Sequence, residues 1–466
     1  MQRRTRSAAA AEAAAASAAR AEALRYNFIS CLILTAQNGF GRDVEPFLAL
    51  CRETWGEEIL FDAVKDLPHG ALTKKDDDGE PMFEEDEDGE QVLGEDGAPI
   101  PVVDPFGKQR TRLMYAAQAG DVARVTWLLA RGAQLELKDC DGLTALLWAA
   151  TEGRGATVRA LLARGAAVDA ARNDGATPLY IASREAHLEV VRELLSRGAA
   201  VDAAENSGAT PLLIASENGH LEVVRELLSR GATVDAAEND GWTPLYTTSR
   251  EGHLEVVREL LARGAAVDAA IDKGRTPLYI ASWAGHLEVV RELLARGAAV
   301  DAAIDAGWTP LLIATQLGRL EVVRELLARG AAVDAAKNDG WTPLFIASIE
   351  GHSDIVRELL ARGAAVDAAD EDGWTPLLSA SQKGHLAVVR ELLLRGAALN
   401  GASNYGITPL YTASKKGRVA VVRELIARGA LPGVATNDGA TALSAATAKG
   451  HAVIVQLLST AAGAAP

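Results

Sequence analysis

From residue 111 to the end, apolar and polar positions follow one pattern that repeats. Small and apolar residues cluster just after a Thr, a Gly follows, and then apolar residues recur at helical spacing before an Arg-Gly pair. Thr111, Thr144, Thr177, Thr210, Thr243, Thr276, Thr309, Thr342, Thr375, Thr408 and Thr441 keep an unbroken 33-residue period. The segment DGWTPLYTTSREGHLEVVRELLARGAAVDAAIDK, Asp240 to Lys273, shows one unit in full. Thr243 is an N-cap whose hydroxyl accepts from a free helical N–H, and Pro244 takes the first helical position, where no donor is lost. A short first helix ends at Gly252, which supplies a left-handed cap. His253 opens a second helix with Val256, Val257, Leu260 and Leu261 on one side, and Arg263-Gly264 closes it. AAVDAA and the next Asp-Gly predict an extended arm and a tight turn. One such pair of helices cannot bury its apolar stripe alone. Units must therefore stack, with a core running along the array.

These residues carry a resemblance. The T-P-L start, the G-H-L-E-V-V opening of the second helix and the L-L-x-R-G-A end resemble the ankyrin repeat over about residues 105–466, in eleven units. The resemblance implies an all-α solenoid of helix pairs with β-turn or hairpin arms. It also implies a partner surface on the concave face and arm tips. One departure stands out: the His that the family carries after T-P-L is here Tyr180, Leu213, Tyr246, Tyr279, Leu312, Phe345, Leu378 or Tyr411. That exchange predicts a stack held less by polar ties and more by packing. Thr111 and Thr144 lack the following Pro, as in an N-terminal capping region. Ala186 stands where other units have the helix-ending Gly, at a cost of about 1 kcal/mol if the left-handed conformation is kept. The last unit ends after Leu458 without an arm.

Composition changes the picture mainly upstream. Hydrophobic residues make up 48% of the 466 residues but aromatics only 5%, which suits closely approaching helices. Residues 1–24 form an Ala-rich tail with four Arg, two Ser and two acids. That composition resembles a transit peptide, but the reading taken is a tail with no core to join. Residues 25–70 have a helical pattern, read as a degenerate cap or small accessory bundle. Residues 71–104 form an acidic, flexible insert, and residues 76–96 hold twelve acids and no basic residue. This stretch supplies most of the net charge of −16, leaving the array close to neutral. No basic face suited to nucleic acid is expected. The longest apolar run, Phe28 to Ala36, is too short to cross a bilayer. Three scattered cysteines (Cys31, Cys51, Cys140) suggest a reducing, intracellular setting, the cytoplasm first.

Candidate chemistry is thin. Glu84, Asp86, Asp88, Gly89 and Glu95 fall at calcium-loop positions, but Pro81, Pro99 and Pro101 deny the loop its flanking helices, and Gln91 replaces its apolar residue. Seven of eight histidines (His187, His220, His253, His286, His352, His385, His451) share one position in successive units. Stacked helices lie about 8–10 Å apart, so these are helix-start residues and not a metal cluster, which needs nitrogens about 2 Å from one centre. No catalytic constellation or cofactor motif is present, and a non-enzymatic monomer is expected.

Between units, variation gathers at the arm tips, after the turn Gly, and at two positions late in the first helix. There Ile271, Arg275, Trp283, Ile304, Gln316, Leu317 and Ile349 mark mid-array units as the candidate partner site, with apolar side chains expected to be exposed. Trp242, Trp308, Trp341 and Trp374 recur after a Gly and read as packing residues. Lys383, Lys415 and Lys416 suit a solvated rim. The function expected is an adaptor or regulatory subunit binding a protein partner, and the alternative is a passive spacer or anchoring array.

Overall fold

In the computed structural model of residues 110–463, the period becomes eleven helix pairs. The expectations for the tail, the degenerate cap, the acidic insert and the calcium-like loop lie outside the described residues. Each first helix runs seven or eight residues, as in Pro244–Glu251 and Pro277–Ala284, and each second helix mostly nine, as in Leu254–Ala262. The caps form as the residues dictate. Thr243 Oγ1 accepts from the Tyr246 N–H at 3.2 Å, Pro244 opens the helix, and Gly252 ends it at φ 85°. Thr111 and Thr144 cap their helices in the same way without a following Pro, each accepting at 3.3 Å. Ala186 does take the left-handed conformation, at φ 63°. The last second helix, Ala452–Gly463, runs twelve residues, past Leu458.

First helices stack on first helices and second on second. One apolar core therefore runs through every unit, from Leu113 to Leu458. The row after T-P-L is buried, Leu213, Tyr246 and Phe345 among it. Polar ties between units persist beside this packing. They have moved to other positions.

Four ladders join successive units. In the first, His187, His220, His253 and His286 each reach back 36 residues, donating from Nε2 to a first-helix carbonyl at 2.8–3.0 Å. Arg154 and Arg418 make the same bond in two of the three units where Arg replaces His. In the second, Asp169, Asp202, Asp235 and Asp268 accept from the backbone N–H 31 residues ahead at 3.1–3.2 Å. In the third, Arg192, Arg225, Arg258 and Arg291 pair with Glu226, Glu259, Glu292 and Glu325 of the next second helix at 3.0–3.2 Å. In the fourth, the amides of Asn173, Asn206 and Asn239 reach the previous arm tip at 3.1–3.4 Å.

Beneath the first helices runs a column of hydroxyls at the same period. Ser183, Ser216, Ser249, Ser282, Thr315, Ser348, Ser381 and Ser414 are fully buried, and their Oγ atoms have no protein partner. A buried hydroxyl left without a partner is destabilising, so this column works against the packing around it.

Candidate functional site

The face to build is the one made by the arm tips and the C-terminal ends of the first helices. Each first helix is short because Thr-Pro starts it and a left-handed residue stops it about two turns later. The last two residues before that stop are consequently carried out of the core.

In the mid-array units this geometry exposes large apolar groups. Trp283, next to last in Pro277–Ala284, is 46% exposed, and Leu317, the C-cap of Pro310–Gln316, is 39% exposed. Ile349, in the following helix Pro343–Glu350, is half-buried, as are Gln316, Ile304 and Arg275. The helices bearing Trp283, Leu317 and Ile349 are direct neighbours in the stack. The backbone carbonyls of Gln316 and Ile349 are held by His352 and His385 of the next unit, at 3.1 and 3.0 Å. The ladder thus fixes the height at which these side chains leave the helix.

Ile271 is different. It is only 5% exposed, packed with Tyr246 and Ile280 in a small separate core against Trp242. The arm here folds on itself, with the Ile271 N–H donating to the Arg275 carbonyl at 2.9 Å and a short turn at Asp272–Gly274 between them. Lys273 adopts φ 65° within it. The expectation of an exposed Ile271 is therefore corrected: at this tip an apolar residue drops onto a floor made by Tyr246 of one unit and Ile280 of the next. The asparagine ladder is interrupted here, where Asp272 replaces Asn, and resumes at Asn338.

Two of the tryptophans after the turn Gly pack on the aromatic ring that follows T-P-L. Trp242 lies 5.8 Å from Tyr246, and Trp341 5.0 Å from Phe345. Each also meets a cation. The Arg250 guanidinium lies 4.4 Å over Trp242 while pairing with Glu217 and Glu251. Lys337 stands between Trp308 and Trp341, 5.3 and 4.2 Å from their rings, and pairs with Asp339.

Sequence reasoning missed an inversion in these columns. In the unit before, the ring is Trp242 and the cation Arg250; in the next, the same two places hold Arg275 and Trp283. Arg275 has no ion pair, and its Nε is buried without a hydrogen-bond partner. The signal was available, since the two columns exchange residue types between adjacent units.

Electrostatics differ along the face. Toward the N-terminal side, Glu205, Glu217, Glu238 and Asp240 crowd together. Burial, then Asp240, Glu217 and Glu205, push the Glu238 carboxyl above its ordinary value. Burial, followed by the charge of Glu205, pushes the Tyr180 hydroxyl up to about 12. Among the described residues no cluster of His, Cys, Asp and Glu is placed to hold a metal ion, and no helix is long and apolar enough to cross a membrane.

The geometry matches a known repeat. A family model described as ankyrin repeats, three copies, matches the chain in overlapping windows from residue 113 to 465. No curated protein matches the chain. With paired helices, Gly-capped turns and stacked units across the whole matched span, the chain belongs to the ankyrin-repeat family, whose repeats serve as protein–protein interaction modules.

Proposed function

We propose that this chain is an intracellular adaptor or regulatory subunit. It acts by binding, without catalysis, as a monomer that holds a protein partner on the concave face. One observation carries the reading: Trp283 and Leu317 stand well out of the core on adjacent stacked units, with Ile349 beside them. Apolar area left in water is costly, and Trp is favoured at interface centres, where a partner covers it. Gln316 and Arg275 give the patch polar donors at its edge, and Ile304 borders it from the next arm.

The test is Trp283→Ala in the full chain, with affinity for a captured partner measured by calorimetry and stability by thermal melting. Affinity should fall by about 2 kcal/mol, or ~30-fold. The melting temperature should barely move, since an exposed side chain adds little to the core. A sharp drop in melting temperature with affinity intact would make Trp283 a packing residue and favour the passive spacer.

A further inference from the structure

Past the apolar patch, the same column of first-helix ends changes character. Lys383, Lys416 and Lys449 occupy one position in three successive units, and Lys415 sits beside Lys416. All four are exposed. Lys383, Lys416 and Lys449 have no ion pair, whereas second-helix arginines such as Arg225 and Arg258 are each shared between two carboxylates. Lys415 lies over the Tyr411 ring, at 5.6 Å, and feels the Asp438 carboxylate without forming an ion pair with it. Stacked like charges without counter-charges add nothing to the fold. A lysine at a helix C-terminus does gain from the helix dipole. That gain would apply in every unit, yet the same position holds Glu185, Glu251 and Glu350 elsewhere. The lysines therefore belong to this end of the face and not to the repeat.

Two adjacent columns thus run from Glu185 and Glu251, through Trp283, Leu317 and Ile349, and past Glu350 to lysines without an ion pair. We propose that the occupant of this face is a peptide segment of the partner with a non-polar stretch flanked on one side by consecutive carboxylates. Its apolar side chains cover Trp283 and Leu317, and its acidic flank lies over Lys383, Lys415, Lys416 and Lys449. The proposal rests on the adaptor reading above and names the chemistry of the partner. Charge complementarity sets the orientation of the segment and speeds its arrival, more than it deepens the affinity. At about 8–10 Å per unit, the three units from Trp283 to Lys383 span roughly 24–30 Å, the reach of about eight extended residues. A nucleic-acid backbone fits worse, because a continuous row of phosphates has no apolar stretch to lie over Trp283 and Leu317, which are exposed on the same face.

The experiment pans a phage-displayed library of random 16-residue peptides against the full chain. The selected peptides are then measured by fluorescence anisotropy on the wild type, on the triple variant Lys383→Glu/Lys416→Glu/Lys449→Glu, and on Trp283→Ala. The pool should be enriched in Asp and Glu on one flank of an apolar stretch. Binding should weaken at least tenfold on the triple variant and fall as salt rises from about 50 to 300 mM. Circular dichroism should show the variant folded, since all three side chains are exposed. A pool without acidic excess, an empty selection, or equal binding to the triple variant overturns the proposal. So does a thymidine 16-mer that binds as tightly as the best peptide. If Trp283→Ala leaves binding unchanged while the triple variant abolishes it, the apolar patch was misread and the acidic-segment inference stands. The reverse result sinks the inference and keeps the patch.

Discussion

The imidazole ladder makes a demand on two residues at once, and that demand can be measured. His253 donates to the Glu217 carbonyl at 3.0 Å, and its ring also lies against Gly219 of the preceding unit. A Cβ added to Gly219 would sit 2.6 Å from His253 Nδ1, on a backbone already at φ 73°. His253→Ala removes one hydrogen bond and strands a part-buried carbonyl, a loss of about 1–3 kcal/mol. Gly219→Ala suffers the left-handed penalty of about 1–2 kcal/mol and, in addition, the contact with the ring. The chain indicates how large that second part is. Ala186 carries a Cβ at the equivalent place, and His220 still bonds Arg184 at 2.8 Å, so the ring can yield. The contact is then worth about 1 kcal/mol, the low end of overpacking costs. In the double variant it vanishes, and a coupling of about 1 kcal/mol should remain between the two sites. Urea unfolding followed by far-ultraviolet circular dichroism gives all four corners of the cycle, provided the slopes agree. His253→Arg should cost under about 1 kcal/mol, because Arg154 and Arg418 already make this bond at 3.0 and 3.1 Å. If His253→Ala costs under about 0.5 kcal/mol, the scale of an ordinary surface change, the ladder contributes nothing and the reasoning fails.

Two further outcomes follow from buried polar groups. Ser282→Ala should raise stability by about 1 kcal/mol, since the Ser282 hydroxyl is fully buried with no protein partner; a destabilised variant in urea titration would contradict this. Glu238→Gln should stabilise the array at pH 7. The folded carboxyl is held above its ordinary 4.5, so its ionised form opposes folding above that range and the opposition fades as the proton binds. The gain should shrink toward zero as the pH falls to about 4.5, and a gain that grows on acidification would reverse the assigned sign.

Much of the fold was legible because each unit's local signals agree. Thr-Pro starts, left-handed glycines and the Val-Val-x-x-Leu-Leu stripe specify helix ends and the buried side without reference to neighbours. Contacts between units were not legible in the same way. A 33-residue period says which residues are equivalent, whereas the bonds join residues 31, 34 or 36 apart. Those offsets depend on how far one unit is shifted over the next. Hence the histidines were placed at helix starts but their reach to the preceding carbonyl was not seen. Ile271 failed for a related reason. Its column holds Arg172, Glu205 and Glu238 elsewhere, so composition suggested solvent, while Tyr246 and Ile280 of two different units supply the floor that buries it. Trp283 and Leu317 were read correctly as exposed because the Gly cap one or two residues later ends the helix before it can turn them inward.

Since every tie between neighbours spans a constant offset, the array behaves as a ruler with interchangeable segments. Excising any interior stretch of 33 residues brings together helices whose imidazole, aspartate and arginine partners are already of the right kind. The identical second helices Leu254–Ala262, Leu287–Ala295 and Leu320–Ala328 make such a join seamless in sequence. Length can therefore change by whole units while the remaining interfaces keep their partners, with total stability scaling with the number of units. What such a change would alter is spacing. One unit gained between Leu317 and Lys383 would move the positive end about 8–10 Å from the apolar patch, re-tuning the face for a longer segment while leaving each of its halves intact.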